Sequence, residues 1–171
     1  MRSRPRAVAS AALLCVAGLV AACSNGTSVS SPFSTSPPVL HGGPEYEITT
    51  GTVPGLGTVL VDGQGLTVYM YATDVRGQPS RCYNICAVQW PPVVLKPGVA
   101  QPVTGAGIDA SLLGTSARTD GTTQVTYNGW PLYLWPPDRA PGKATGQALT
   151  NAGGLWYVLS PAGKSIVTPS P

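Results

Sequence analysis

Tyr69-Met70-Tyr71-Ala72-Thr73-Asp74 recurs as Tyr133-Leu134-Trp135-Pro136-Pro137-Asp138. Both stretches read Tyr-x-aromatic-x-x-Asp, and their surroundings repeat as well. Each follows a β-prone run with a glycine turn, Val59 to Gly65 in the first copy and Val125 to Gly129 in the second. Each precedes a tryptophan, Trp90 or Trp156, so the offset is 64 residues for the motif and 66 for the tryptophan. Self-similarity of this kind predicts two copies of one unit, at about residues 56–95 and 120–160, packed about a pseudo-two-fold axis around one shared core.

Outward from the motif, short runs rich in β-branched and aromatic residues alternate with turn signals. The strand candidates are Glu45 to Thr50, Thr58 to Val61, Leu66 to Tyr71, Gln124 to Tyr127, Pro131 to Trp135, Leu155 to Ser160 and Ser165 to Thr168. Between them stand Asp62-Gly63, Asp120-Gly121, Asn128-Gly129 and Pro161-Ala162-Gly163. Asn-Gly and Asp-Gly supply the positive φ angles of tight hairpins, so at least three antiparallel hairpins are expected. With 21 glycines and 18 prolines the composition favours turns and strands over helices. The predicted fold is therefore all-β, two pseudo-symmetric antiparallel repeats packed into one small domain over residues 45–171. Ile108 to Leu113 is the one stretch that reads as a short helix, in a glycine-rich setting.

The motif itself has two readings. Residues i and i+2 of a strand share a face, so Tyr69 projects with Tyr71 and Tyr133 with Trp135, as core aromatics do. Asp74 and Asp138 then fall just past the strand ends, where a carboxylate accepts backbone N–H bonds and fixes a turn. In the sharper reading the two copies bring their aromatic faces and carboxylates to a common cleft, suited to a sugar, a cationic ligand or a peptide. Two carboxylates about 5 to 9.5 Å apart would then make an enzyme acting on envelope glycans.

At the N-terminus, Arg2, Arg4 and Arg6 precede an apolar run from Ala7 to Val20, the layout of an export signal. Val20-Ala21-Ala22-Cys23 resembles the lipobox of bacterial lipoproteins. The resemblance implies cleavage after residue 22, a diacylglycerol thioether on Cys23, and acylation of the new amino group by a chain such as palmitate. An ordinary secretory signal with an incidental cysteine is the plainer alternative. The lipid reading places the protein on the extracytoplasmic face of the cell membrane, with the bilayer as its partner through Cys23. Three of the ten Lys and Arg residues belong to 1–22 while all seven acidic residues lie beyond it, so the mature chain is formally neutral. That balance gives no footing for nucleic-acid binding. Residues 23–44 read as the lipidated cysteine and a flexible Ser/Thr/Pro/Gly tether, whose 21 residues after Cys23 would reach about 25 Å.

Two cysteines remain beyond Cys23. Export puts Cys82 and Cys86 in an oxidising compartment, where a local disulfide is expected. Their three-residue spacing differs from the two-residue redox motif. The single histidine, His41, lies in the tether, which argues against a Ser-His-Asp triad and against a Cys and His zinc site; no metal or cofactor is expected. Trp90-Pro91-Pro92 and Trp135-Pro136-Pro137 occupy non-equivalent places in the two copies. Each reads as a strand terminator with a buried tryptophan or, less simply, as a surface for extended peptides.

The duplicated motif, Cys82-Tyr83-Asn84-Ile85-Cys86-Ala87 leading to Trp90-Pro91-Pro92, Gln124 to Gly129 leading to Pro131-Leu132-Tyr133, Pro141-Gly142, Gly146-Gln147 and Gly154-x-Trp156 together resemble a family of bacterial secreted lipoproteins. That family is known by the duplicated Tyr-x-aromatic-x-x-Asp motif and described as a secreted repeat of unknown function. Val68 stands where leucine is common in it, and Lys143 where an acidic residue is common. The resemblance implies an envelope location and a repeated β unit. It implies no established activity, and the expected role is a non-catalytic binding or structural module.

Overall fold

The computed structural model describes residues 42–167. The predicted signal peptide, Cys23, His41 and residues 168–171 lie outside the described residues. Gly42 to Pro44, the end of the predicted tether, lie inside them, and there the chain is already tied to the domain. Gly43 N donates to Gly63 O at 2.8 Å and Glu47 N to Pro44 O at 2.9 Å.

The first copy opens with β1 (Glu47–Val53) and β2 (Gly57–Asp62), an antiparallel hairpin in register from Ile48 opposite Asp62 to Val53 opposite Gly57. The second copy opens with β5 (Leu113–Ala117) and β6 (Thr123–Tyr127), paired in the same way. Between the hairpins come β3 (Val68–Tyr71), α1 (Ile85–Gln89) and β4 (Val103–Thr104); after them come β7 (Trp130–Pro131), β8 (Tyr133–Leu134), β9 (Thr150–Asn151) and β10 (Gly154–Val158). The Asn128-Gly129 turn joins β6 to β7 with φ of 49° and 77° at its two central residues. Two successive positive φ angles match the right-handed twist of the flanking strands, and Asn-Gly is the pair that adopts them at least cost. Asp120-Gly121 closes the β5–β6 hairpin. Asp62-Gly63 makes a wider turn, in which Asp62 Oδ1 accepts from Gln64 N at 3.0 Å and Leu66 N at 2.8 Å.

Several local expectations are corrected. Residues 108–112 form a turn that runs directly into β5, with Leu112 N bonded to Asp109 O and Ser111 N to Asp109 Oδ1; no helix follows, because Leu112 O accepts from Asn128 N at 2.7 Å and Leu113 pairs with Tyr127 in the β5–β6 ladder. The helix that does form, α1, is tied at its start by the Cys82–Cys86 disulfide and begins after Asn84 at φ 52°. The run from Pro131 to Trp135 is not one strand: β7 turns back onto β6, and β8 crosses to a different sheet. At the C-terminal end, Ser165 makes a single bridge to Leu159 rather than a strand.

The sheet that matters most has the order β8-β3-β10-β9. In it Tyr69 of the first motif stands directly opposite Tyr133 of the second. Because these two residues are equivalent and their strands antiparallel, the pseudo-two-fold axis passes between them. β10, the last strand of the second copy, pairs with β3 of the first, Val158 opposite Tyr69 and Trp156 opposite Tyr71. Reciprocally, Pro92 at the end of the first copy bridges Tyr133 of the second, and Leu134 N donates to Pro91 O at 2.9 Å. Each copy thus lends its closing segment to the other. Pro91 and Pro92 have no N–H to give, which limits the second of these pairings to a bridge.

All four residues of β3 are buried, because each face of this strand meets a core. Val68 and Met70 point into a cluster with Ile48, Leu60, Val125 and Leu132. Tyr69 and Tyr71 point the other way, into a cluster with Val59, Cys82, Trp90, Tyr133 and Trp156. The alternation follows from the period of two along a strand.

Candidate functional site

The six motif residues and the two following tryptophans form one assembly across the axis. Tyr71, Trp156, Trp90 and Trp135 make a continuous stack, with ring centroids 4.2, 3.9 and 4.3 Å apart in that order. Reversing the order exchanges Tyr71 with Trp135 and Trp156 with Trp90, which are the equivalent residues of the two copies. The remaining tyrosines stand edge-on to the stack: Tyr69 at 5.4 Å from Trp90 and Tyr133 at 5.1 Å from Trp156. Offset stacks and edge contacts are the favoured arrangements of aromatic quadrupoles, so the duplicated sequence packs its aromatics twice with one geometry. The stack is tied at its middle by Asn151, whose Oδ1 accepts from Trp90 Nε1 and whose backbone oxygen accepts from Trp156 Nε1.

Motif tyrosines and motif aspartates are joined across the copies. Tyr133 Oη donates to Asp74 Oδ2 at 2.6 Å, and Tyr69 Oη donates to Asp138 Oδ2. The other carboxylate oxygen of each aspartate fixes a loop. Asp74 Oδ1 accepts from Arg81 N at 2.7 Å, and Asp138 Oδ1 from Thr145 N at 2.9 Å and Thr145 Oγ1 at 2.6 Å. The backbone donor stands seven residues after the aspartate in both copies. Asp74 and Asp138 are 4% and 3% exposed, so the carboxylates are not offered to solvent.

Burial raises the pKa of Asp74, opposed by the Tyr133 hydroxyl, the Arg81 amide and the charges of Arg118 and Arg81. The phenols of Tyr69 and Tyr133 are raised well above the ordinary range, first by burial and then by the carboxylate each one faces. They are therefore fixed as donors at any physiological pH. The arrangement can hold two copies together. All four carboxylate oxygens of the two aspartates accept internal hydrogen bonds.

Around Asp74 the copies differ, and sequence reasoning missed the residues responsible. Ser80 Oγ lies 2.7 Å from Tyr133 Oη and 3.1 Å from Arg118 Nη1. The guanidinium of Arg118, a buried residue, also donates to Gln124 Oε1, Cys82 O and Asp120 Oδ2, and lies 4.4 Å from the centre of the Tyr83 ring. Five partners around one buried charge supply the compensation its desolvation requires. Cys82 and Cys86 are joined, with Cα atoms 5.2 Å apart, so the disulfide and Arg118 together fix the loop that carries Trp90. Arg118 adjoins Asp120-Gly121, read from sequence only as a turn, and nothing in its spacing marks it as a buried cation.

Of the motif residues, Trp135 and Asp138 border a cleft with room for a ligand. That cleft has a volume of about 470 Å³; Trp135, Leu134, Pro91 and Pro92 line it, with Glu45 and Arg139 among its polar residues. Asp138 also contributes to its wall, with both oxygens already engaged internally. Among the described residues no group of three or more His, Cys, Asp or Glu could hold a metal ion.

A family model described as a secreted repeat of unknown function matches residues 52–94 and 114–160, more than half of the chain. The two matched segments contain the two motifs and both of the equivalent tryptophans, Trp90 and Trp156. No curated protein and no solved structure matches the chain.

Proposed function

We infer that this chain, which belongs to the family of secreted repeats of unknown function, serves as a lipid-anchored, non-catalytic binding or structural module of the bacterial cell envelope. The observation that carries the non-catalytic part is the reciprocal pairing of Tyr69 with Asp138 and of Tyr133 with Asp74. It gives the repeated motif a complete structural role, since every motif oxygen that a hydrolase would need for acid or base work is already bonded and buried. The anchor rests on Val20-Ala21-Ala22-Cys23 behind an arginine-led apolar run. A secreted family accords with an extracytoplasmic address. Lipid on Cys23, as diacylglycerol plus an acyl chain such as palmitate, gives the two or three chains that stable membrane attachment takes. The residues from 24 to the start of the domain then act as the spacer between bilayer and β domain.

The test is mass spectrometry of the membrane fraction from cells expressing the wild type and Cys23→Ala. The wild type is expected as a chain beginning at Cys23 and carrying lipid, and the variant as an unlipidated, uncleaved precursor. Recovery of the wild type as a soluble, lipid-free chain would overturn the anchor. Hydrolysis of envelope glycans by the purified wild type, lost in both Asp74→Asn and Asp138→Asn while the fold survives, would overturn the non-catalytic reading.

A further inference from the structure

We propose that the cleft at Trp135 is a binding site for a neutral pyranose, one ring or a short run of rings of an uncharged glycan. The proposal rests on the envelope location argued above and gives that module its ligand. Trp135 ends the four-ring stack on one side and is half-buried. Stacking on Trp90 holds its indole in place, so the face it offers the cleft is set before any ligand arrives, and little ordering entropy is left to lose. Pro91 and Pro92 stiffen the surface beside it. At about 470 Å³ the space lies within the range of small-ligand pockets.

The cleft draws on both copies, Pro91 and Pro92 from the first and Leu134 and Trp135 from the second, at a place where their pairing departs from the pseudo-symmetry. The residues equivalent to Pro91, Pro92 and Trp135 are Tyr157, Val158 and Tyr71, and there β10 forms a regular antiparallel ladder with β3. On the cleft's side of the axis the first copy's closing segment, Pro91-Pro92, makes only a single bridge to Tyr133.

The polar groups of the cleft decide the ligand class. Glu45 and Arg139 are exposed, and neither side chain makes a hydrogen bond or ion pair among the described residues. An anion would meet the Glu45 carboxylate and a cation the Arg139 guanidinium, while a purely apolar ligand would bury both without partners. A neutral ring with an apolar C–H face and a hydroxyl rim meets all three demands. Its face lies on the indole, one hydroxyl donates to Glu45, and another accepts from Arg139.

The experiment titrates the full lipidated chain, in a sugar-free detergent, with maltotetraose and with the tetramer of N-acetylglucosamine. Binding is read by tryptophan fluorescence and by calorimetry. A saturable response to at least one of them is expected, reduced tenfold or more in affinity by Glu45→Gln with Arg139→Gln, two surface changes that leave the core intact. Trp135→Phe, which keeps an aromatic ring on the stack, is expected to weaken binding while the fold is retained. No saturable response to either sugar, unchanged affinity in the Glu45/Arg139 variant, or tighter binding of a proline-rich peptide or a charged sugar would overturn the proposal. Each of these outcomes leaves the lipid on Cys23 to be decided by its own mass measurement.

Discussion

Tyr133 Oη donates to Asp74 Oδ2 at 2.6 Å across 59 residues of chain, and its counterpart from Tyr69 to Asp138 spans 69. Neither copy of the motif can satisfy its own aspartate; each tyrosine completes the other copy's turn. The repeat is therefore a requirement of the hydrogen bonding as well as of the shared aromatic core. The exchange of closing segments, β10 onto β3 and Pro92 onto β8, adds to this dependence.

Removing either hydroxyl tests the pairing. Tyr69→Phe and Tyr133→Phe keep the ring in its edge-on contact and leave a buried carboxylate oxygen short of a donor, at a cost of about 1 to 3 kcal/mol each. Asp74→Asn and Asp138→Asn keep the shape and one acceptor and should fall in the same range, with alanine costing more at both places. Denaturant unfolding of the singles and of the double variant Tyr69→Phe/Asp138→Asn measures the coupling, expected at about 0.5 to 3 kcal/mol. A large loss at one aspartate beside a gain at the other would refute equal roles.

The disulfide closes a very short loop. Cys82 and Cys86 are four residues apart, so in the chain-entropy account the bond contributes about 2 kcal/mol, the low end for disulfides. Alkylation followed by intact mass should add two alkyl groups only after reduction. Reduction should lower the unfolding midpoint modestly and leave the fold in place, because Arg118 still holds Cys82 O at 3.0 Å. Free thiols in the exported protein would contradict the assignment.

What the sequence disclosed was whatever repeats or depends on neighbours along the chain. The doubled Tyr-x-aromatic-x-x-Asp, the offset tryptophans and the Asn-Gly and Asp-Gly turns pointed to two β units and a pseudo-two-fold axis. The reading of Tyr69 and Tyr71 as packing residues follows from strand alternation, and that of Asp74 and Asp138 as turn residues from their place just past the strand ends. The pairing of each tyrosine with the other copy's aspartate was not legible, because nothing in a linear motif says which copy supplies its partner. Arg118 was hidden for a similar reason. Its burial depends on Ser80, Cys82 and Gln124 meeting from three segments. The cleft at Trp135 was equally hidden, since it exists where the copies fail to match, and a repeat is visible only where they agree. The short helix at Ile85–Gln89 follows from a local loop closure, and its five residues give no periodic signal.

Gly146 tests how tightly the aromatic assembly is packed. A Cβ there would lie 2.7 Å from Trp90 Cη2 and 3.1 Å from Tyr69 Cε1, both rigid ring atoms inside the core. Gly146→Ala should therefore destabilise by about 1 to 3 kcal/mol, as overpacking does, despite the gain alanine usually brings through the unfolded chain. Gly57, with open space around its Cβ position but φ of 77°, serves as the comparison: its alanine variant is strained by backbone conformation alone. Thermal unfolding with near-ultraviolet circular dichroism separates the two, because only Gly146→Ala should disturb the aromatic signal. An unchanged aromatic spectrum and midpoint in Gly146→Ala would show that the stack has slack.

Asp62 sets the pH dependence of stability. The residue is fully buried, Oδ1 holds the β2 turn, and Oδ2 has no hydrogen-bond partner among the described residues. Burial lifts its pKa from 3.8 to about 6, opposed by the Leu66 and Gln64 amides and helped by the charge of Glu45. A carboxyl group raised in the folded state binds its proton more tightly folded than unfolded. Its contribution is thus fully present below pH 3.8 and is lost as pH rises through about 6. Across that window the group accounts for roughly 3 kcal/mol, so acidifying from pH 7 to pH 4.5 should make the domain more stable, against the usual direction for carboxylates. Asp74, also raised, pushes the same way. Asp120, lowered to about 2 first by its hydrogen bonds with Thr122, acts only below this window, where its contribution is lost as pH falls. Asp62→Asn keeps the shape and the turn acceptor and removes the titration, so its unfolding free energy should vary much less between pH 4.5 and 7, with a small residual slope from Asp74. Urea unfolding of both proteins at the two pH values measures the difference, and an equally steep slope in the variant would assign the pH response to some group other than Asp62.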